Sequence, residues 1–207
     1  MTASAGDLLR TTTGALAPDP EANAFVPLVE SGEASPRALA RLALEQRWVI
    51  PADRRSFEHL ARRADPAPAA FFTTLATGEE LAARHLTAFA RGCGVTGERA
   101  RTYVPLAGCQ AYPAYVSWLA LVANFSAWGG YCARIAAGLR THYGFTDESC
   151  AFFDFFAAPA PELDRQATEA VQAGLDTGTL DPDSAHTYGT LLQRYERMFW
   201  ETVGQSD

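Results

Sequence analysis

Apolar residues recur along this chain at three- and four-residue spacing, with polar residues between them, and that period predicts helix after helix. Ser35 is a capping residue and Pro36 a first helical position, so a helix opens at SPRALA and runs through LARLALEQRWVI. Pro51 predicts a kink, after which ADRRSFEHLARRA continues it. Phe71, Phe72, Leu75, Leu81, Leu86 and Phe89 mark a second long helix, with Gly78 as a candidate break. RGCGVTGE stops it, and a short helix follows from Thr96 to about Tyr103. A long, mostly apolar helix spans about Gln110 to His142. Inside it Gly129 and Gly130 each cost roughly 1 kcal/mol against alanine, which points to a kink, a close helix crossing or tight packing. TDESCAFFDFFAA is a capped short helix, and PELDRQATEAVQAGLDTG an amphipathic one ended by Gly178. The last helix starts near Asp181 or Asp183 and stops at Gly204. Asp7 to Leu16 reads as a weak helix in a weakly ordered N-terminal extension over about 1–20, which runs into the proline-rich PDPEA. Alternating Val/Ile/Thr-rich runs and internal repeats are both missing, so the pattern predicts an all-α, multi-helix bundle with 1–207 as one domain.

Composition narrows the function. About 48% of the residues are apolar, enough for a sizeable core, and the formal net charge is −7. Neutralising phosphates takes clustered basic residues. The one cluster here, Arg54, Arg55, Arg62 and Arg63, is diluted by Glu58 and Asp65 and reads as a solvated face, so no nucleic-acid partner is expected. The opening MTASAGDLLR is not a secretory signal, and the apolar run near Trp118 to Phe125 is too short to span a bilayer. Cys93, Cys109, Cys132 and Cys150 are widely spaced, with no CxxC pair, which fits free thiols in a cytoplasmic protein. Phosphate-binding glycine loops, GxSxG and HExxH are missing, as is the paired Glu-x-x-His of di-iron bundles, so no metal or cofactor is expected.

The informative positions are polar residues on apolar faces. Glu196 shares its stripe with Leu192, Phe199 and Trp200. A buried carboxylate must be hydrogen-bonded, protonated or metal-bound, and a raised pKa suits general acid–base work. The plainer alternative is an ion pair with an arginine such as Arg47. Gln46 lies among Leu42, Ala43, Val49 and Ile50, and Glu45 among Leu42, Trp48 and Val49, so one of the two must face inward. His85, between Leu81 and Phe89, is either a satisfied core histidine or a pocket residue. Tyr112 and Tyr115 share one face, with Trp118 following. An aromatic-rich helical cavity with a few such polar groups is a natural site for a small heteroaromatic ligand.

At the last helix, RYERMFWETV (194–203) resembles the terminal helix of the TenA / thiaminase II family, where a Tyr-Glu-x-x-Phe-Trp pattern carries a catalytic glutamate. AFVPLVESGEASPRALARLALEQRWVI (24–50), RRSF (54–57) and QAYPAY (110–115) resemble that family's opening and its tyrosine-bearing segment, so the likeness spans roughly 24–203. The resemblance implies a haem-oxygenase-like bundle that assembles as a homo-oligomer, a tetramer or dimer. It implies hydrolysis of thiamin-related aminopyrimidines by a cysteine nucleophile and a glutamate acid/base, with an aspartate and two tyrosines around the ring. Carried over, Glu196 matches the glutamate and Tyr112 the first tyrosine. The aspartate falls on Gln46 beside Glu45, the cysteine near Ile135 with Cys132 one turn earlier, and the second tyrosine on Phe156.

Isoleucine cannot attack carbon, and Gln46 binds an aminopyrimidine without a compensating charge. Three readings therefore stand. The first is a TenA-like protein that hydrolyses or binds a thiamin-related ring, with Glu196 and Cys132 reactive and Gln46, Glu45, Tyr112, Tyr115, Phe156, Ile135, Trp48 and His85 around the ligand. The second is a non-hydrolytic relative for another heteroaromatic. The third, a metal-dependent oxidase on Glu45, His85 and Glu196, has an incomplete ligand set. Haem oxygenase itself is disfavoured, because the first histidine is His59.

Overall fold

The computed structural model describes residues 4–111 and 118–205, with backbone alone at 20 and over 118–126. All regular structure among them is helical: α1 (Ala5–Leu16), a 3-10 turn (Pro20–Ala22), α2 (Val26–Ser31), α3 (Pro36–Ala61), α4 (Pro66–Gly92), α5 (Gly97–Thr102), α6 (Ala107–Gln110), α7 (Trp118–Tyr143), α8 (Asp147–Ala157), α9 (Pro161–Thr177) and α10 (Pro182–Gly204). Starts and stops follow local chemistry. The side chains of Ser35, Thr96, Thr146 and Asp181 each accept a backbone N–H of the first turn. Gly178 closes α9 at φ 69°, a conformation an L side chain disfavours.

The helix bounds refine the expectations. α3 runs unbroken through Pro51, and α4 unbroken through Gly78. Proline lacks the N–H that the helix uses and glycine costs about 1 kcal/mol against alanine, and the packing between α3 and α4, a hairpin joined by 62–65, outweighs both. Gln110 closes the separate short α6, with Ala111 in a turn; 112–117 lie outside the described residues, and α7 is described from Trp118 onward. The N-terminal segment forms α1, which packs on α7, α9 and α10, with Ala5 and Thr12 buried.

The main core lies where α4, α7, α8 and α10 meet α2 and α3, around Phe25, Leu42, Phe89, Leu139, Phe152, Phe153, Phe199 and Trp200. Phe153 meets the ring of Phe89 edge-on at 4.7 Å. Burial of such a ring stabilises by about 2–3 kcal/mol. A second cluster joins Phe57 and Phe72 to Ala167 and Ala170 of α9. Gly138 lets α7 approach α2: a Cβ there would lie 2.5 Å from the Val29 carbonyl oxygen. Among the described residues no helix is long and apolar enough to cross a membrane.

Candidate functional site

Glu196 is carried inward by the periodicity of α10, with Leu192, Phe199 and Trp200 buried on the same stripe. It is only 3% exposed. Trp200, one turn on, donates its indole N–H to Oε1 at 3.3 Å. Oε2 is buried with no hydrogen-bonding partner. Burial raises the carboxyl pKa to about 7, and the Trp200 hydrogen bond pulls weakly the other way. The ion pair with Arg47 does not form, since Arg47 is exposed on the outer side of α3.

Facing Glu196 are Tyr131 and Cys132 of α7, both buried, with Ile135 buried one turn further. Burial first, and the Glu196 charge second, push the Cys132 thiol well above its ordinary range, so it is neutral at physiological pH. The Tyr131 ring meets Trp200 edge-on at 5.6 Å, and its hydroxyl engages Asn23. Trp200 is stacked between Phe25, at 6.0 Å, and Trp128, at 5.4 Å. Trp128 in turn meets the half-buried Phe156 edge-on at 5.9 Å. Glu196, Tyr131 and Trp200 line a cleft of about 330 Å³, bordered on its other side by residues 15–19 and 22–24. The end of α1 is fixed there because Leu16 sits against Gly189, where a Cβ has no room.

Glu45 and Gln46 are both buried, because α3 is covered by α4 on one side and by α6 and α10 on another. Glu45 is fully committed. Its Oε1 accepts the Tyr103 hydroxyl at 2.5 Å and the Leu106 N–H at 2.9 Å, and its Oε2 accepts the Gln110 amide at 2.6 Å. Gln46 keeps a buried Oε1 with no hydrogen-bonding partner. Trp48, two residues on and about 200° around the helix, is 49% exposed. His85 is half-buried against Phe155 of α8 at 5.9 Å. Tyr112 and Tyr115 lie outside the described residues. No group of three or more His, Cys, Asp or Glu among the described residues is arranged to hold a metal, and the Glu45 oxygens are already occupied.

No family model and no curated protein matches the chain. Among solved structures, the TenA homologue protein from P. horikoshii OT3 superposes with a TM-score of 0.65 at 16% identity, over 98% of this chain and 100% of that one. The chain has the TenA fold. That fold is the haem-oxygenase-like all-α bundle, and the low identity marks a divergent example.

Within this TenA fold the described residues bring Glu196 and Cys132 together, with Trp200 as the wall between Glu196 and Phe156. Sequence reasoning passed over Tyr131, Trp128 and Asn23. Tyr131 is legible as the neighbour of Cys132 on an apolar helix, whereas Asn23 is placed only by tertiary packing. It also passed over two further buried acids, Asp53 of α3 and Glu79 of α4. Their apolar neighbours at three and four positions, Ile50 and Phe57 for one and Leu75, Ala76 and Ala82 for the other, carry the same signal that marked Glu196.

Proposed function

We propose that this protein takes a small aminopyrimidine related to thiamin into the space beside Glu196 and hydrolyses it. The observation that carries the reading is Glu196 itself: a buried carboxyl poised near neutrality, held at one oxygen by Trp200 and bare at the other. Tyr131 and Trp200, which line that space, suit a flat heteroaromatic ring. The Gln46 Oε1 is suited to accept an exocyclic amino hydrogen.

For a 5-aminomethylpyrimidine the chemistry balances simply. The C–N bond breaks, a C–O bond forms from water, and the amine leaves as ammonia. Glu196 takes the proton from the attacking group and delivers it to the departing nitrogen. If the attacking group is Cys132, a C–S bond forms first and water then cleaves it, returning the proton to the thiol. Because Cys132 is held neutral, its attack depends on Glu196 as base.

A second reading, binding without turnover, is favoured by one specific set of observations. The position expected for the nucleophile is Ile135, the second tyrosine is replaced by Phe156, and the remaining thiol is pushed up rather than activated. The exposed Trp48, Val104 and Leu106 support a homo-oligomer in either case, and the buried free thiols support a cytoplasmic setting. Ammonia release from an aminomethylpyrimidine, wild type against Glu196→Gln, tests the proposal. Hydrolysis predicts a loss of roughly 10²–10⁴-fold in the variant. Saturable binding without ammonia supports the second reading, and neither binding nor turnover rejects both.

A further inference from the structure

A second cavity is larger than the one beside Glu196. It holds about 1090 Å³ between α4, α7, α8 and the start of α9, in the range that takes a drug-sized molecule. Phe71, Trp128, Phe155 and Phe156 supply its aromatic walls. Its charged lining residues are all acidic: Glu79 inside, Glu162 and Asp164 where α9 begins.

Glu79 is 7% exposed, lines this cavity, and keeps a buried Oε2 with no hydrogen-bonding partner. Behind it on α3 stands Asp53, also 7% exposed, with an equally orphaned Oδ1. The Asp53 and Glu79 carboxyls feel each other electrostatically, and burial first, then that repulsion, raises Glu79 well above the carboxylate range. A buried acid pair either keeps its protons or is met by a cation. This chain contains no lysine. The nearest guanidinium in sequence, Arg54, is turned to the surface and paired with Glu58 and Glu80. The cavity threonines do not serve either: Thr73, Thr74 and Thr77 donate to backbone carbonyls one turn back. Two carboxyls alone leave a metal ion short of ligands.

We infer that this cavity is a second ligand site, which takes a protonated organic amine with an aromatic or apolar body, its ammonium group held by Glu79 and backed by Asp53. The aromatic walls favour the same cation through their faces, and Asp164 at the rim favours its entry, the Glu162 carboxylate being taken by Arg165. The site is separate from the proposed aminopyrimidine pocket, although Trp128 lines it and stacks on Trp200, which lines the other.

Isothermal titration of the full chain with tryptamine, against the neutral isostere tryptophol, tests this. The expected result is at least tenfold tighter binding of tryptamine to the wild type. That preference is lost in Glu79→Gln and weakened in Asp53→Asn. Gly130→Phe, whose new side chain starts in open space on the cavity wall, is expected to block both ligands, and it serves as the second variant should Glu79→Gln not fold. Glu196→Gln is expected to keep the preference. Equal binding of amine and alcohol, binding of neither, or a preference that survives both Glu79→Gln and Gly130→Phe overturns the inference. A preference lost only in Glu196→Gln overturns it as well, by assigning the amine to the other pocket.

Discussion

The indole N–H of Trp200 reaches back one helical turn to Oε1 of Glu196 at 3.3 Å, and so holds a carboxyl that nothing else in the described core engages. This hydrogen bond is the one influence that lowers the Glu196 pKa against the effect of burial. Trp200→Phe keeps a ring and removes the donor. The pKa of Glu196 should then rise beyond about 7. The acidic limb of the pH profile of kcat/KM for ammonia release should move to higher pH. A profile that stays in place would mean that Trp200 does not tune the base.

Stability should fall between mildly acidic and mildly alkaline pH. Glu196 is raised in the fold relative to the unfolded chain, so the native state holds a proton that the unfolded state has released. The stabilisation is complete below the ordinary carboxylate range, and it is lost as the pH rises through about 7. Burial raises Asp53 and Glu79 in the same direction and extends the trend. For Glu196 the loss is on the order of 3 kcal/mol. Urea midpoints at pH 5 and pH 8 read it directly, and Glu196→Gln should flatten the slope. A wild type more stable at pH 8 than at pH 5 would contradict the assignment.

Two glycines of α7 should respond oppositely to alanine. At Gly138 the new methyl meets the Val29 carbonyl oxygen at 2.5 Å, a backbone atom that cannot swing away. Overpacking of this kind costs about 1–3 kcal/mol. At Gly130 nothing lies within 4 Å, so Gly130→Ala should gain up to about 1 kcal/mol of helix propensity. For a chain of this size, thermal midpoints should shift by roughly 2–4 °C per kcal/mol, down for the first and up for the second.

Glu45 ties α5 and α6 to α3 by accepting from Tyr103, Leu106 and Gln110. Glu45→Ala strands three donors, one of them a main-chain N–H, and should cost about 3 kcal/mol or more. Hydrogen exchange over 97–110 should accelerate more than exchange in α8. Uniform acceleration would argue against a local tether.

The helical bundle was legible because its signals are local. Ser35, Thr146, Asp181 and Gly178 mark helix ends through their own nearest turns. Glu196 was legible because periodicity within α10 alone carries it inward. What was hidden depends on other helices. The choice between Glu45 and Gln46 dissolves because α3 is covered on two sides, a fact of packing that α3 does not encode. The arginine pairing of Glu196 was chemically reasonable, but it would have required Arg47 on the inner side of α3. Asp53 and Glu79 announced their burial through their neighbours, yet their pairing depends on how α3 and α4 meet.

The stacked Trp128 and Trp200, 5.4 Å apart, also give the protein an optical reporter. Two indoles this close couple as transition dipoles, and their combined near-ultraviolet circular dichroism depends on the angle between the rings, here 29°. One ring borders the cavity beside Glu196 and the other borders the cavity beside Glu79. A molecule entering either space therefore perturbs the same chromophore pair, so occupancy of both can be followed by light without a label.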